Sequence, residues 1–494
     1  MSRPTAARLL VLAIMCVAAG GCARNPATGR PEIALVSRAK EGEIGKEEAR
    51  RVADSMGLVK DPALTSYVRA VGQRLVPHAP QQDATYTFEV VDTPEPNAFA
   101  LPGGYVYVSR GLLALMNSED ELAGVLGHEI GHVAARHAVR RVTLAAPLAI
   151  VTGLGAAVTG IVSPTLGDVV AGVGGLAGAL VLAPYSRGQE READRLGQEL
   201  AAAAGWDAAG ISRALNTLER EEALHSGQTR PMAFFSTHPP LPRRVAETET
   251  HARTLRRGTG APIAGSGPDF LRKLDGLLVG PDPADGVIED ARFAHPDLGF
   301  ALRFPSGWKV ANSRHAVAAL APGGDALVML EAAGDGSDPM AALTAFEREA
   351  KVDLSSRAEP LLISGLPAVH TTAQARTREG RLALELTWIA HVGRIYRITG
   401  ATSPARSASF QTAMRDTAAS FRPLTAAERA DFRETRLRLV TAREGETLAQ
   451  LLARAGVVEW GLSMTAVANG LEATVPLGRG RPIKVARAEP YRPR

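Results

Sequence analysis

Ser118-Glu119-Asp120-Glu121-Leu122-Ala123-Gly124-Val125-Leu126-Gly127-His128-Glu129-Ile130-Gly131-His132-Val133 reads as one helix. Ser at the cap with Glu three residues on predicts a capping box, and the acidic first turn suits the positive end of the helix dipole. Leu122, Val125, Leu126, Ile130 and Val133 fall on an apolar stripe. That stripe buries the helix and leaves the two histidines at the edge of a cleft. His128 and His132 lie four residues apart and share a face. Both imidazoles can therefore reach one Zn²⁺ at about 2.0–2.1 Å. Glu129, beside the first histidine, is the expected general base toward a water whose pKa the metal lowers. Such chemistry needs no nucleophilic side chain.

A catalytic zinc needs a third protein ligand and one open position. Glu190-Arg191-Glu192-Ala193-Asp194 offers two carboxylates four apart on a second helix. Glu190 is expected to ligate the metal. Asp194, on the same face, is expected to accept a hydrogen bond from a ligand imidazole and fix its tautomer. Glu192 points elsewhere. His137, five residues after His132, falls off the metal-facing stripe of a continuing helix and reads as structural.

The His128–His132 motif has company. Asn25-Pro26-Ala27-Thr28-Gly29-Arg30, Asn97-Ala98-Phe99-Ala100-Leu101-Pro102-Gly103-Gly104, and Ser186-Arg187 leading into Glu190–Asp194 complete a set of four segments. Together they resemble the HtpX and CAAX-prenyl-protease family of zinc peptidases, in particular its soluble periplasmic branch. The resemblance covers about the first half of the chain. It implies one zinc per chain, with His128, His132 and Glu190 as ligands, Glu129 as base and Asp194 behind the ligands.

Working outward, 494 residues suggest about three domains. Apolar and charged fractions are those of a soluble globular chain. The net charge is +4, and Arg3 and Arg8 lie in a leader expected to be removed. The small remaining excess argues against a nucleic-acid partner. The expected fold class is α+β. A mainly helical zincin-type metallopeptidase domain with a small edge sheet spans 25–257, and 258–284 reads as a linker. An α/β domain at 285–425 and a small βααβ module at 437–488 follow.

The leader has a basic start, an apolar run from Leu9 to Ala19, then Ala19-Gly20-Gly21-Cys22. This layout resembles a lipoprotein signal over 1–22, with Cys22 as the lipidated residue. Ala19 departs from the usual Leu, Val or Ile, and an uncleaved anchor or a plain signal are the other readings. Cys16 lies inside the run, so the mature chain keeps one cysteine and no disulfide framework. From Leu144 to Tyr185 the only charged residue is Asp168. A hairpin buried against the domain or lying on a membrane surface is expected over a transmembrane one, since Gly and Ala contribute little to insertion.

Asn97 to Ser109 reads as two short strands around Gly103-Gly104. Endopeptidases commonly hold extended substrates by strand addition, and in resembling sequences this segment borders the cleft, which makes Asn97, Ala98, Phe99 and Ala100 the candidate substrate-binding residues; the other reading is a plain structural hairpin. Ser236-Thr237-His238-Pro239-Pro240-Leu241-Pro242-Arg243-Arg244 resembles a His-Pro loop near the metal in related sequences. His238 then either fills the open zinc position at rest or stabilises the oxyanion during turnover.

The 285–425 region is strand-rich, with Phe304-Pro305-Ser306-Gly307-Trp308 and a hairpin around Gly393, and resembles a Mog/PsbP-like fold. The 437–488 region resembles a LysM module, with Trp460 as its one aromatic for glycan stacking. The resulting expectation is a zinc metalloendopeptidase of the bacterial cell envelope, periplasmic and lipid-anchored, placed at the outer membrane. Its partners would be unfolded or misassembled envelope proteins, the membrane through the anchor, and peptidoglycan if the module binds glycan. The rival expectation is a non-catalytic, peptidoglycan-tethered assembly factor or chaperone, against which the intact Glu129 argues.

Overall fold

The computed structural model describes residues 37–80, 85–138, 184–227, 230, 233–241, 243–350, 352–377, 380–457 and 459–493, residue 29, and strand backbone at 22–24 and 31–33. The leader before Cys22 and the apolar Leu144–Ala183 stretch lie outside the described residues. Among the described residues no helix is long and apolar enough to cross a membrane. The chain splits into two compact units, one of Met1–Leu148, Ala179–Gly280 and Thr435–Ala488, the other including Pro281–Glu434 and Glu489–Arg494.

The first unit begins with a small antiparallel pair, β1 (Cys22–Arg24) and β2 (Pro31–Ile33). Helices α1 (Arg38–Ser55) and α2 (Pro62–Leu75) follow, then β3 (Thr87–Val91), β4 (Ala98–Leu101) and β5 (Tyr105–Ser109). β5 is the middle strand, parallel to β3 and antiparallel to β4, which leaves β4 at the edge. The two expected strands around Gly103-Gly104 are therefore present. A Cβ on Gly104 would sit 2.4 Å from the Thr85 carbonyl oxygen, and its φ of 96° suits glycine alone.

After α3 (Arg110–Leu115) comes α4 (Glu119–Ala134), the helix of the opening sequence. Ser118 caps it, accepting from the Glu121 amide at 3.2 Å. Only half of the expected capping box forms, because the Glu121 carboxylate reaches one residue further back and accepts from the Asn117 amide at 2.7 Å. Glu119 is also turned inward. Its carboxylate accepts from Tyr67 Oη, Trp206 Nε1 and the amides of Ile263 and Ala264, all at 2.5–2.8 Å. These charge-assisted bonds fasten α2 and two later loops to the first turn of α4.

Helix α5 (Arg187–Ala203) starts at a complete capping box between Ser186 and Gln189. It meets α4 glycine to glycine. A Cβ on Gly197 would lie 2.6 Å from the His128 amide nitrogen, and one on Gly127 would lie 2.8 Å from the Gly197 carbonyl oxygen. Helix α6 (Gly210–Leu224) packs on α4 as well. Short α7 (Phe234–Thr237) and α8 (Arg244–Ala252) follow. The stretch expected to be a linker contains α9 (Gly267–Leu274), whose Phe270 and Leu274 are buried in the same core as Leu122 and Ile130.

The C-terminal strands Arg433–Thr441 and Pro482–Pro490 pair and enclose helices Leu448–Ala455 and Gly461–Ala468, in the expected βααβ order. Residues 435–488 belong to the first unit. Lys484, fully buried, donates from Nζ to the carbonyls of Ala114 and Met116 at 2.8 Å each, capping the C-terminal end of α3. Trp460 is partly buried against the peptidase-side core, not displayed as a stacking platform.

The second unit is built on an eight-stranded antiparallel sheet. Helix Pro339–Glu349 contributes Leu343 to the core on one face, with Trp388 and Met329. Helix Ser407–Ala419 contributes Met414 and Ala418 to the other, with Phe300, Ile398 and Phe421. The expected hairpin around Gly393 pairs Gly380–His391 with Arg394–Thr402.

Candidate metal centre

The close approach of α4 and α5 brings side chains from three parts of the chain to one point. His128 Nε2 lies 3.0 Å from His132 Nε2 and 3.3 Å from His238 Nδ1. Glu190 Oε1 lies 3.4 Å from His132 Nε2 and 3.1 Å from His238 Nδ1. All four side chains are buried, and their ligand atoms lie within 4.8 Å of one another. Among the described residues this is the one such group. Glu129 is also fully buried, with Oε1 3.4 Å from His238 Nε2.

The donor set fits zinc. Four donors about 2.0–2.1 Å from a tetrahedral ion would stand about 3.3 Å from one another. The separations just given straddle that value. Imidazole lone pairs and a carboxylate facing each other without water repel unless a cation or proton lies between them.

Behind these donors stands a second layer of charge. Asp194 Oδ1 is 2.9 Å from His128 Nδ1, as expected. Arg244, which the sequence reading missed, holds Asp194 with two bonds of 2.7 Å and reaches Glu190 Oε2 at 2.8 Å. Arg244 stands next to Arg243, two residues past Pro242, and nothing in its local sequence signals such a role. Burial opposes the charged form of Glu190, but the facing imidazoles, His238 first, hold its carboxyl well below the usual range. Burial likewise opposes ionised Asp194, and Arg244 wins there. Burial drives His132 well below its ordinary value, whereas for His128 the bond to Asp194 overcomes burial and lifts it.

Two rings brace the imidazoles. Tyr185 stacks on His132 at 3.7 Å and Phe234 stacks on His238 at 4.3 Å. His238 Nε2 donates to the Ala98 carbonyl at 3.2 Å, so Nδ1 carries the lone pair that faces the cluster. His137, expected to fall off the metal-facing stripe, lies against His132 instead: the two Nδ1 atoms are 2.8 Å apart.

Of the candidate substrate residues, Ala98, Phe99 and Ala100 form the buried edge strand β4. Ala100 lines a small cleft with Leu101, Pro102, Val133 and Tyr185 that reaches His132. Asn97 is 2% exposed, and neither amide atom of its side chain has a hydrogen-bond partner among the described residues. Its backbone is held on both sides by Ser109. Cys22 lies in β1, and its side chain is outside the description.

A helix that carries a glutamate beside two imidazoles one turn apart, crossed by a second helix that brings a carboxylate, defines the zincin class of metallopeptidase domain. Within that class, residues 62–252 match the family model Peptidase family M48, and this segment of the chain is an M48 peptidase domain. The chain is 32% identical over 235 residues to the beta-barrel assembly-enhancing protease of Escherichia coli (strain K12), covering 47% of each chain. It is 34% identical over 186 residues to the mitochondrial metalloendopeptidase OMA1 of Schizosaccharomyces pombe, covering 37% of this chain and 52% of that one. The chain thus spans about half the length of the curated relatives it matches. The solution structure of cyanobacterial PsbP from Synechocystis sp. PCC 6803 covers 29% of this chain and 98% of its own at 14% identity. Its TM-score of 0.23 is too low to establish a shared fold. M48 metallopeptidases use zinc.

Proposed function

We propose that this protein is a zinc metalloendopeptidase in which His128, His132 and Glu190 hold the metal and Glu129 is the general base. The observation that carries the reading is the convergence of four buried donors from three separate segments on one point. When bound, zinc polarises the scissile carbonyl and lowers the pKa of a water. Glu129 accepts the proton released there and passes it to the leaving amine nitrogen. Asp194, backed by Arg244, keeps the His128 ring oriented with Nε2 toward the metal. β4 takes the peptide as an added strand, with the buried Asn97 amide as a clamp on its backbone.

His238 is read as a block, not as an oxyanion donor. Its Nδ1 stands in the donor cluster and its Nε2 holds the Ala98 carbonyl, a group that an incoming strand would use. The state described here is closed, since His128, Glu129, Glu190 and His238 are all 0% exposed. Displacing the 233–241 loop frees the fourth metal position and the β4 edge together.

The proposed setting is the bacterial cell envelope, with unfolded or misassembled envelope proteins as substrates and Cys22 as the site of a lipid anchor to the outer membrane. The similarity to the beta-barrel assembly-enhancing protease supports the substrate class. The proposed division is a peptidase domain at 25–257, a PsbP-like α/β domain at 285–425 and a LysM-like module at 437–488. Peptidoglycan binding by the module is proposed on its βααβ order, since Trp460 packs against the core.

Metal analysis and casein cleavage by wild type and Glu129→Gln test the enzyme. Zinc retained with cleavage lost supports it; equal cleavage by both overturns it.

A further inference from the structure

The last turn of α4 does not continue as a helix. Ala135 closes it with its amide on the Gly131 carbonyl, and Arg136 turns left-handed at φ 54°. For a non-glycine residue that conformation crowds Cβ against the carbonyl oxygen and needs a tertiary contact to hold it. Arg136 is held there by Glu41 of α1, which accepts from Nε at 3.0 Å and from Nη2 at 2.8 Å. The reversal swings His137 back over His132, where a straight helix would have carried it off the metal face. Its Nδ1 comes to 2.8 Å from His132 Nδ1, and its Nε2 to 3.4 Å from Glu192 Oε2. His137 is fully buried and the Glu192 side chain is 18% exposed.

The protons in this chain are dictated from both ends. His132 Nε2 faces His128 and Glu190, so it must present a lone pair to hold a metal, and its proton sits on Nδ1. That N–H can only donate, so His137 Nδ1 accepts and His137 is protonated on Nε2. The Glu192 carboxylate, an acceptor only, receives the second proton donor. We infer that His137 and Glu192 are positioning residues that do for His132 what Asp194 and Arg244 do for His128, fixing its tautomer and ring orientation toward the metal. The inference rests on the ligand set proposed above. It assigns a role to the one carboxylate of the Glu190–Asp194 segment that does not face the donors.

The test is zinc affinity, by competition with a chromophoric chelator, on the full-length protein. His137→Leu removes the acceptor at similar volume. It should weaken zinc binding by about 10–100-fold, the range typical of outer-layer partners of a metal ligand. His137→Asn keeps an acceptor near the Nδ1 position and should retain most of the affinity. Glu192→Leu should weaken binding in the same direction. Circular dichroism and thermal unfolding of the metal-free proteins identify a variant that fails to fold, in which case Glu192→Leu carries the test. Wild-type affinity in a folded His137→Leu protein, or in Glu192→Leu if it carries the test, overturns the inference. So does an Asn variant as weak as the Leu one, because volume and not the hydrogen bond would then matter. A wild type that takes up no zinc overturns the metal centre itself, and so separates that failure from this one.

Discussion

His238 and Ala98 are joined by one hydrogen bond, 3.2 Å from Nε2 to the carbonyl oxygen, and that bond decides which nitrogen of the ring faces the metal cluster. A single side chain thus sits against both the metal position and the substrate edge.

His238→Ala removes a bond worth about 1 kcal/mol net, which shifts the closed–open balance about fivefold toward open. Cleavage of an unstructured protein should rise by that order at subsaturating substrate. A fall in turnover would instead assign His238 to the oxyanion.

Asn97 gives a prediction of opposite signs in two assays. Both atoms of its buried amide go without a hydrogen-bond partner among the described residues, so the folded protein bears their desolvation without return. Asn97→Leu, of similar shape, should stabilise the protein by about 1–3 kcal/mol in urea unfolding. It should also raise KM for peptide substrates. A destabilised variant with normal KM would remove the clamp.

Arg244 offsets two buried carboxylates, Asp194 and Glu190. Arg244→Met leaves both without their cation. A loss of about 3–5 kcal/mol in denaturant unfolding of the metal-free protein is expected. Arg244→Lys should recover only part, since it lacks the forked geometry. Unfolding curves that superimpose on the wild type would contradict the buried network.

Gly197 has no room for a side chain. Gly197→Ala places a Cβ 2.6 Å from the His128 backbone nitrogen, and the contact is to backbone that cannot rotate away. The helices must separate, so both thermal stability and zinc affinity should fall. A variant with unchanged zinc affinity would show that the crossing has slack.

The second unit should answer to acid through His295. Burial lowers this imidazole from 6.5 to about 4, and its Nδ1 accepts from the Leu298 amide. Between pH 6.5 and 4 the unfolded chain binds the proton and the folded one does not, so stability falls as pH falls through that window. The loss approaches about 3 kcal/mol at its lower end and is absent above pH 7. His295→Asn should flatten this dependence, read from thermal unfolding at pH 7.5 and 4.5. Parallel curves for the two proteins would count against it.

Much of the centre is legible in order along the chain because helix periodicity is local. The Ser118 cap, the apolar stripe and the four-residue spacings of His128–His132 and Glu190–Asp194 all follow from 3.6 residues per turn. The β4–β5 hairpin follows from Gly103-Gly104 between β-branched and aromatic residues. Helical spacing carried past Ala134 takes His137 off the metal face, whereas Arg136 reverses the chain there, held by Glu41, 95 residues away. The α9 helix was hidden by the Gly and Pro content around it, although Ser266 and Asp269 flank its start.

By itself the sequence determined which donors exist and on which helical faces they lie, since both depend on residue type and local geometry alone. Only the tertiary structure decided that α4 and α5 meet at Gly127 and Gly197, that Arg244 backs Asp194 and Glu190, and that His238 lies across β4. It also decided that Lys484 of the C-terminal module caps the end of α3. Each of these joins residues far apart in the chain through burial and fixed direction. Charge pairs and close backbone contacts of that kind leave no periodic trace in the order of amino acids.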